Sequence, residues 1–156
     1  MPSVDQTVLQ FMEMAANRYY KLILVIGPSG SGKTAGLRGL SEACGYPYVN
    51  LNLLLGQKLL ELPRKDRPLE LLHLLQGIIA AAGNGIVLVD NTEILFDRSL
   101  RHDPLRCLQQ ASRANTIVAS WSGKAEDRTV TYAEPGHPEY RRYTEVDALI
   151  VAASQH

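Results

Sequence analysis

A chain of 156 residues, 46% of them apolar, is long enough to bury a core of its own and has the common size of one domain. Lys plus Arg and Asp plus Glu number 16 each, so no global positive field gathers nucleic acid or anionic membrane, and any such contact needs a local patch. Cys44 and Cys107 stand far apart without CxxC or metal spacing, which argues against a disulfide framework and reads as reduced structural thiols.

The first residues lack a basic stretch followed by an apolar one, and the most apolar later run, 77–89, is broken by Gly83, Asn84 and Gly85. A cytoplasmic protein without a membrane span is expected. Val8, Phe11, Met12 and Ala15 recur at helical spacing and predict an amphipathic helix over 4–18. Residues 21–26 are apolar on both faces, as in a strand buried between helices. A glycine-rich turn leads into a helix over 33–43, ended by Gly45 and Pro47. Residues 48–54 alternate as a second strand, and helices follow over 53–61 and 69–82, joined by a Pro-containing charged connection. A wholly apolar strand over 85–91 ends on an acid. Asp103 before Pro104 starts a helix over 104–113. Residues 115–121 form another buried strand, expected beside 21–26. Strand-like residues flank a Pro-Gly turn within 128–143, a hairpin insertion over about 124–145, and 148–153 is the last strand. Strands alternating with helices predict one three-layer α/β domain over 1–156 with a mainly parallel, five-stranded sheet.

Gly27-Pro28-Ser29-Gly30-Ser31-Gly32-Lys33-Thr34 matches G-x-x-x-x-G-K-[ST], placed between a strand and a helix as a phosphate-binding loop requires. Its glycines let backbone N–H groups of residues 30–34 turn toward a β-phosphate, and the helix N-terminus adds partial positive charge. The nucleotide-contacting stretch is taken as Gly27 through Ala35. Lys33 is assigned to the β- and γ-phosphates, and the Thr34 hydroxyl to Mg²⁺. Asp90, ending the apolar strand, is the second metal residue, of Walker B type. ATP and Mg²⁺ are the expected cofactors.

Hydrolysis also needs a group to orient water. Many P-loop ATPases of the additional-strand class carry a glutamate directly after the aspartate; here that residue is Asn91. Glu93 is the candidate if the strand end winds into a helix, the other reading being a solvated or capping glutamate. Ser120 is a candidate γ-phosphate contact or a buried serine bonded to its own backbone. Arg141 and Arg142 precede the last strand, where an arginine, Arg142 above all, is placed to enter a neighbouring subunit's site, or else is solvated surface charge. Tyr19 and Tyr20 either stack on adenine or pack in the core or at its rim.

The succession "VIGPSGSGKTAGLRGL", "YPYVNLNLLL", "LVDNTEILFD", "DPLRCLQQASRANTIVASW" and "YAEPGHPEYRRY" is similar to the small P-loop protein of type III BREX bacteriophage-exclusion systems, the BrxF family. The resemblance spans nearly the whole chain, with "DNTEILFD" and "YAEPGHPEYRRY" as its narrower markers. It implies an AAA+-like ATPase core in a bacterial defence island, beside a large ATPase, a methyltransferase and an alkaline-phosphatase-like protein. The roles it carries over are those read above for Lys33, Thr34 and Asp90, and the implied partners are further copies of the chain or other BREX proteins. An AAA+ module continues into a C-terminal helical lid, and the sequence ends at His156 without one. Partner subunits then supply that half, or the site stays half open.

Three functions compete: an ATPase coupling nucleotide state to assembly or conformational change in phage defence, a nucleotide-dependent scaffold with little turnover, and a nucleotide kinase. The kinase reading needs an arginine-rich lid that 62–68 supplies poorly. DNA binding has support only from a patch of Arg64, Lys65 and Arg67, or of Arg141 and Arg142.

Overall fold

A computed structural model describes residues 4–153; the outermost three positions at each end of the expected 1–156 domain lie outside them. Helix α1 (Val4–Ala15) leads into strand β1 (Leu22–Gly27), followed by α2 (Lys33–Cys44), β2 (Tyr48–Asn50), α3 (Leu51–Leu60), α4 (Arg67–Ala82), β3 (Val87–Asp90), α5 (Pro104–Ala111), β4 (Ile117–Glu126), β5 (Thr129–Tyr132), β6 (Arg141–Tyr143) and β7 (Leu149–Ala152). The parallel path of the sheet runs β2-β3-β4-β1-β7. Strand β4 therefore lies between the glycine-loop strand and the strand ending on Asp90, as its apolar run predicts.

Alternation along β1 divides its side chains between two cores. Leu22, Leu24 and Ile26 face α3, α4 and α5, whereas Ile23 and Val25 face α1 and α2. Both faces being covered, every β1 side chain is buried, which is why the strand reads as an unbroken apolar run. Burial of each large aliphatic side chain contributes about 1.5–3 kcal/mol. The helices start where side chains satisfy their first N–H groups: Asn50 accepts from Leu53 N at 3.3 Å, and Asp103 accepts from Leu105 N at 3.1 Å. The Asn50 cap also ends β2 four residues before the predicted limit of 54.

The five expected strands form the parallel path, and two antiparallel strands of the expected insertion extend the sheet. Strand β4, predicted to stop at 121, runs to Glu126; its first half pairs with β1 and its second half turns antiparallel against β5, which pairs with β6. Seven strands result. Gly123 permits the change of partner, because a Cβ there would sit 1.8 Å from the Thr131 carbonyl oxygen. Beside it, Trp121 Nε1 donates to Thr131 O at 3.0 Å. Phe96 stacks on Tyr132 with centroids 3.5 Å apart and meets Trp121 edge-on at 5.1 Å. This aromatic group fastens the segment after Asp90 to the antiparallel extension, while Tyr143 donates to Asp103 at 2.8 Å and ties β6 to α5.

Candidate functional site

The connection from β1 to α2 turns through Gly30 at φ 82° and Gly32 at φ 94°, left-handed conformations that glycine adopts without penalty. Gly32 cannot cap α2 with a side chain, and the first turn of the helix carries no acid. Its leading N–H groups are thus left for an external anion. Lys33, only 8% exposed, folds back over the turn: Nζ donates to Gly27 O and Pro28 O at 2.8 Å each and lies 3.5 Å from Ser31 Oγ. Burial lowers its pKa, opposed by the charges of Glu93 and Asp90. Among the described residues no carboxylate forms an ion pair with it.

Asp90 faces this ammonium from the end of β3, 2% exposed. Burial alone pushes its pKa up, but hydrogen bonds from Tyr48, Thr34, Ser120 and the Asn91 N–H together outweigh it and leave the carboxyl below its ordinary range. Tyr48 donates to Oδ2 at 2.6 Å and Asn91 N to Oδ1 at 2.9 Å. A carboxylate so held is ionised and fixed in direction. Asn91 then takes φ 56° and the chain winds into a 3₁₀ turn, Thr92–Phe96. That turn brings Glu93 round to the loop, where Ser122 Oγ donates to Glu93 Oε2 at 2.5 Å.

The result is a cavity of about 360 Å³. Ser29, Gly30, Gly32, Lys33, Thr34 and Ala35 form one wall; Asp90, Asn91, Glu93 and Ser122 form the other. Gly27 and Pro28 lie behind the wall as the carbonyl partners of Lys33. The donor set suits a magnesium nucleotide. A buried cation on backbone carbonyls and an uncapped helix start await phosphate, and Thr34 beside an ionised Asp90 offers few protein ligands, as Mg²⁺ prefers when phosphates complete its shell. No cluster of three or more acidic, His or Cys side chains stands ready for a metal by itself among the described residues.

Other sequence candidates lie elsewhere. The Ser120 side chain is buried beneath the site: its hydroxyl helps lower the Asp90 pKa and does not line the cavity. The register pairs Gly27 with Ser122, so the residue at the mouth is two positions further along. Arg142 is exposed on β6, lining a separate cleft with Lys124 and Asp127, and Arg141 donates to His102 O at 3.2 Å. Tyr19 is 62% exposed before the start of β1, its ring 3.8 Å from the Arg113 guanidinium. It stands at the opposite end of that strand from the loop, which corrects the adenine-stacking alternative in favour of rim packing. Sequence reasoning missed Tyr48 and Ser122. The alternation of residues 48–50 was the available signal for Tyr48, but it names a face only once β2 is registered against β3.

Replacing Tyr48 with Phe removes one hydrogen bond to an ionised carboxylate, at a cost of about 1.5–3 kcal/mol. Because the folded-state pKa of Asp90 lies below its ordinary value of 3.8, the stabilisation is present above that value and is lost as pH falls through the lower folded one. Denaturation of Tyr48→Phe in EDTA should show the full deficit at neutral pH and a shrinking one below about pH 4. A deficit constant down to pH 2 would contradict the assignment.

A scan against protein-family models finds no match, and a search of curated proteins finds none. Among solved structures, the chain is similar to C. elegans PCH-2, with TM-score 0.49 and 17% identity over 97% of this chain and 42% of that one. It is also similar to a katanin structure described in terms of self-assembly, with TM-score 0.36 and 18% identity over 77% of this chain and 39% of that one. The chain spans less than half the length of either. Likeness at this level carries no inference about activity, which rests on the chain's own residues.

Proposed function

We propose that this chain binds ATP with Mg²⁺ in the cavity between the glycine loop and Asp90 and hydrolyses it slowly. The observation that carries the reading is the buried Lys33 ammonium, held by the Gly27 and Pro28 carbonyls and Ser31 Oγ at an uncapped helix start, opposite an ionised Asp90. Phosphate oxygens would exchange for those carbonyls as partners of Nζ, and the N–H groups of residues 30–34 would donate to the same phosphates. Thr34 and Asp90 would hold the metal, which when bound supplies charge neutralisation between the β- and γ-phosphates. Glu93 orients a water whose oxygen bonds to the γ-phosphorus as the bond to the bridging oxygen breaks, releasing ADP and phosphate.

The Ser122 hydrogen bond bears on rate. It engages Glu93 Oε2 and restrains the carboxylate, leaving Oε1 to accept from water. Asn91, where many P-loop ATPases carry a glutamate, supports a second reading, a nucleotide-dependent scaffold with little turnover. Glu93→Gln should leave ATP affinity within about threefold and lower single-turnover hydrolysis about 100-fold, the usual scale of a positioned base. Wild-type cleavage by this variant would remove Glu93 from the mechanism.

For cellular role, the resemblance to the BrxF family supports an AAA+-like ATPase of phage defence that assembles with itself or with a larger partner. Arg142 is exposed on β6 and would act, if it acts in catalysis, on a neighbouring subunit's nucleotide.

A further inference from the structure

A second cavity gathers four cations that the nucleotide reading does not use. It has a volume of about 580 Å³ and opens between two short segments. Arg64 and Lys65, in the 3₁₀ turn before α4, and Arg67 at its start line one side. Arg101, after the 3₁₀ turn Arg98–Leu100, lines the other with Asp97 and Ser99. The lining carboxylate is already engaged: Asp97 Oδ1 accepts from Ser99 N at 2.9 Å and Ser99 Oγ at 2.8 Å. Among the described residues the ion pairs are Arg18–Asp147 and Lys124–Glu134, so none of the four is ion-paired with a carboxylate. Only Arg67 has a backbone partner here, its Nε donating to Leu62 O at 3.2 Å.

Four cations set against one lining carboxylate, Asp97, fit an anionic ligand. The cleft has no aromatic lining on which a base would stack, and its cations offer the contacts that a phosphate backbone takes. Arg64, Lys65 and Arg101 are exposed, and an exposed cation holds one isolated phosphate weakly. A polymer whose phosphates displace several condensed counterions together gains what a single phosphate does not. The chain has zero formal net charge, so attraction comes from this local contact and not from long-range steering.

We propose that this cleft binds the phosphodiester backbone of nucleic acid, independently of sequence and separately from the glycine loop. Fluorescence anisotropy with a labelled duplex of about 20 base pairs, titrated between about 50 and 200 mM salt, tests it: neutralising about four phosphates predicts a slope of log K on log salt near −3.6. Arg64→Gln combined with Arg101→Gln, both at exposed positions, should reduce the slope by about 2 while circular dichroism stays unchanged. Lys33→Ala and Arg142→Gln should each leave the slope as it is. The proposal is overturned if the duplex does not bind, if its affinity ignores salt, or if the double variant keeps the wild-type slope. It is also overturned if tripolyphosphate binds in the Lys33→Ala background while the duplex does not, which would assign the cleft to free polyphosphate.

Discussion

Lys33→Ala is expected to weaken ATP binding about 100-fold while leaving the unliganded fold intact. The side chain would make charge-assisted hydrogen bonds to phosphate, each worth about 1.5–3 kcal/mol, and about 1.4 kcal/mol corresponds to tenfold in affinity. Without nucleotide, its two carbonyl partners belong to the buried Gly27 and the exposed Pro28, and water reaches the second of them when the ammonium is removed. Burial lowers the Lys33 pKa, so the ammonium is desolvated in the folded protein and its removal also relieves that cost. A thermal shift assay separates the effects. At about 100 times Kd, ATP stabilises the wild type by about 2.7 kcal/mol; the variant should melt close to the unliganded wild type and respond little to the same ATP concentration. An unchanged ATP-induced shift would mean that the lysine does not touch nucleotide.

Phe96→Ala should produce the largest loss of stability, about 3–5 kcal/mol in chemical denaturation. The ring is 1% exposed, stacked on Tyr132 and edge-on to Trp121. Its deletion leaves a cavity where the 3₁₀ turn Thr92–Phe96 meets the β4–β5 extension. Since total stabilities of domains run at about 5–15 kcal/mol, the variant keeps a fraction of its reserve. Glu93 lies in the same turn, so hydrolysis should fall along with stability, whereas Phe96→Leu should recover most of both. A loss below about 1 kcal/mol would show that the aromatic group does not hold the turn.

Much of the parallel sheet was legible because its strands are buried on both faces and read as unbroken apolar runs, as at 22–26 and 86–89. The loop was legible for a different reason: left-handed turns need glycine, and Gly30 and Gly32 stand where φ is positive. What escaped the sequence depends on register. Ser122 replaces Ser120 at the cavity because Gly27 pairs with Ser122, a relation between residues 95 positions apart that no local pattern encodes. Tyr48 reaches Asp90 on the neighbouring strand, where Asn50 pairs with Asp90, for the same reason. The run of β4 beyond Trp121 was hidden because polar residues from Ser122 to Glu126 end the apolar signal where the strand exchanges β1 for β5. Glu93 was within reach as a conditional reading, and the 3₁₀ turn supplies its condition.

The central claim is that the site clasps polyphosphate with a divalent ion, and calorimetric titration of the wild-type chain with ATP, with and without Mg²⁺, against AMP with Mg²⁺ tests it most directly. The account predicts saturable heat with ATP and Mg²⁺, weaker binding without the metal, and no measurable binding of AMP, whose single phosphate cannot span Lys33 and Thr34 together. Binding of AMP as tight as that of ATP, or no heat with ATP and Mg²⁺, would contradict it.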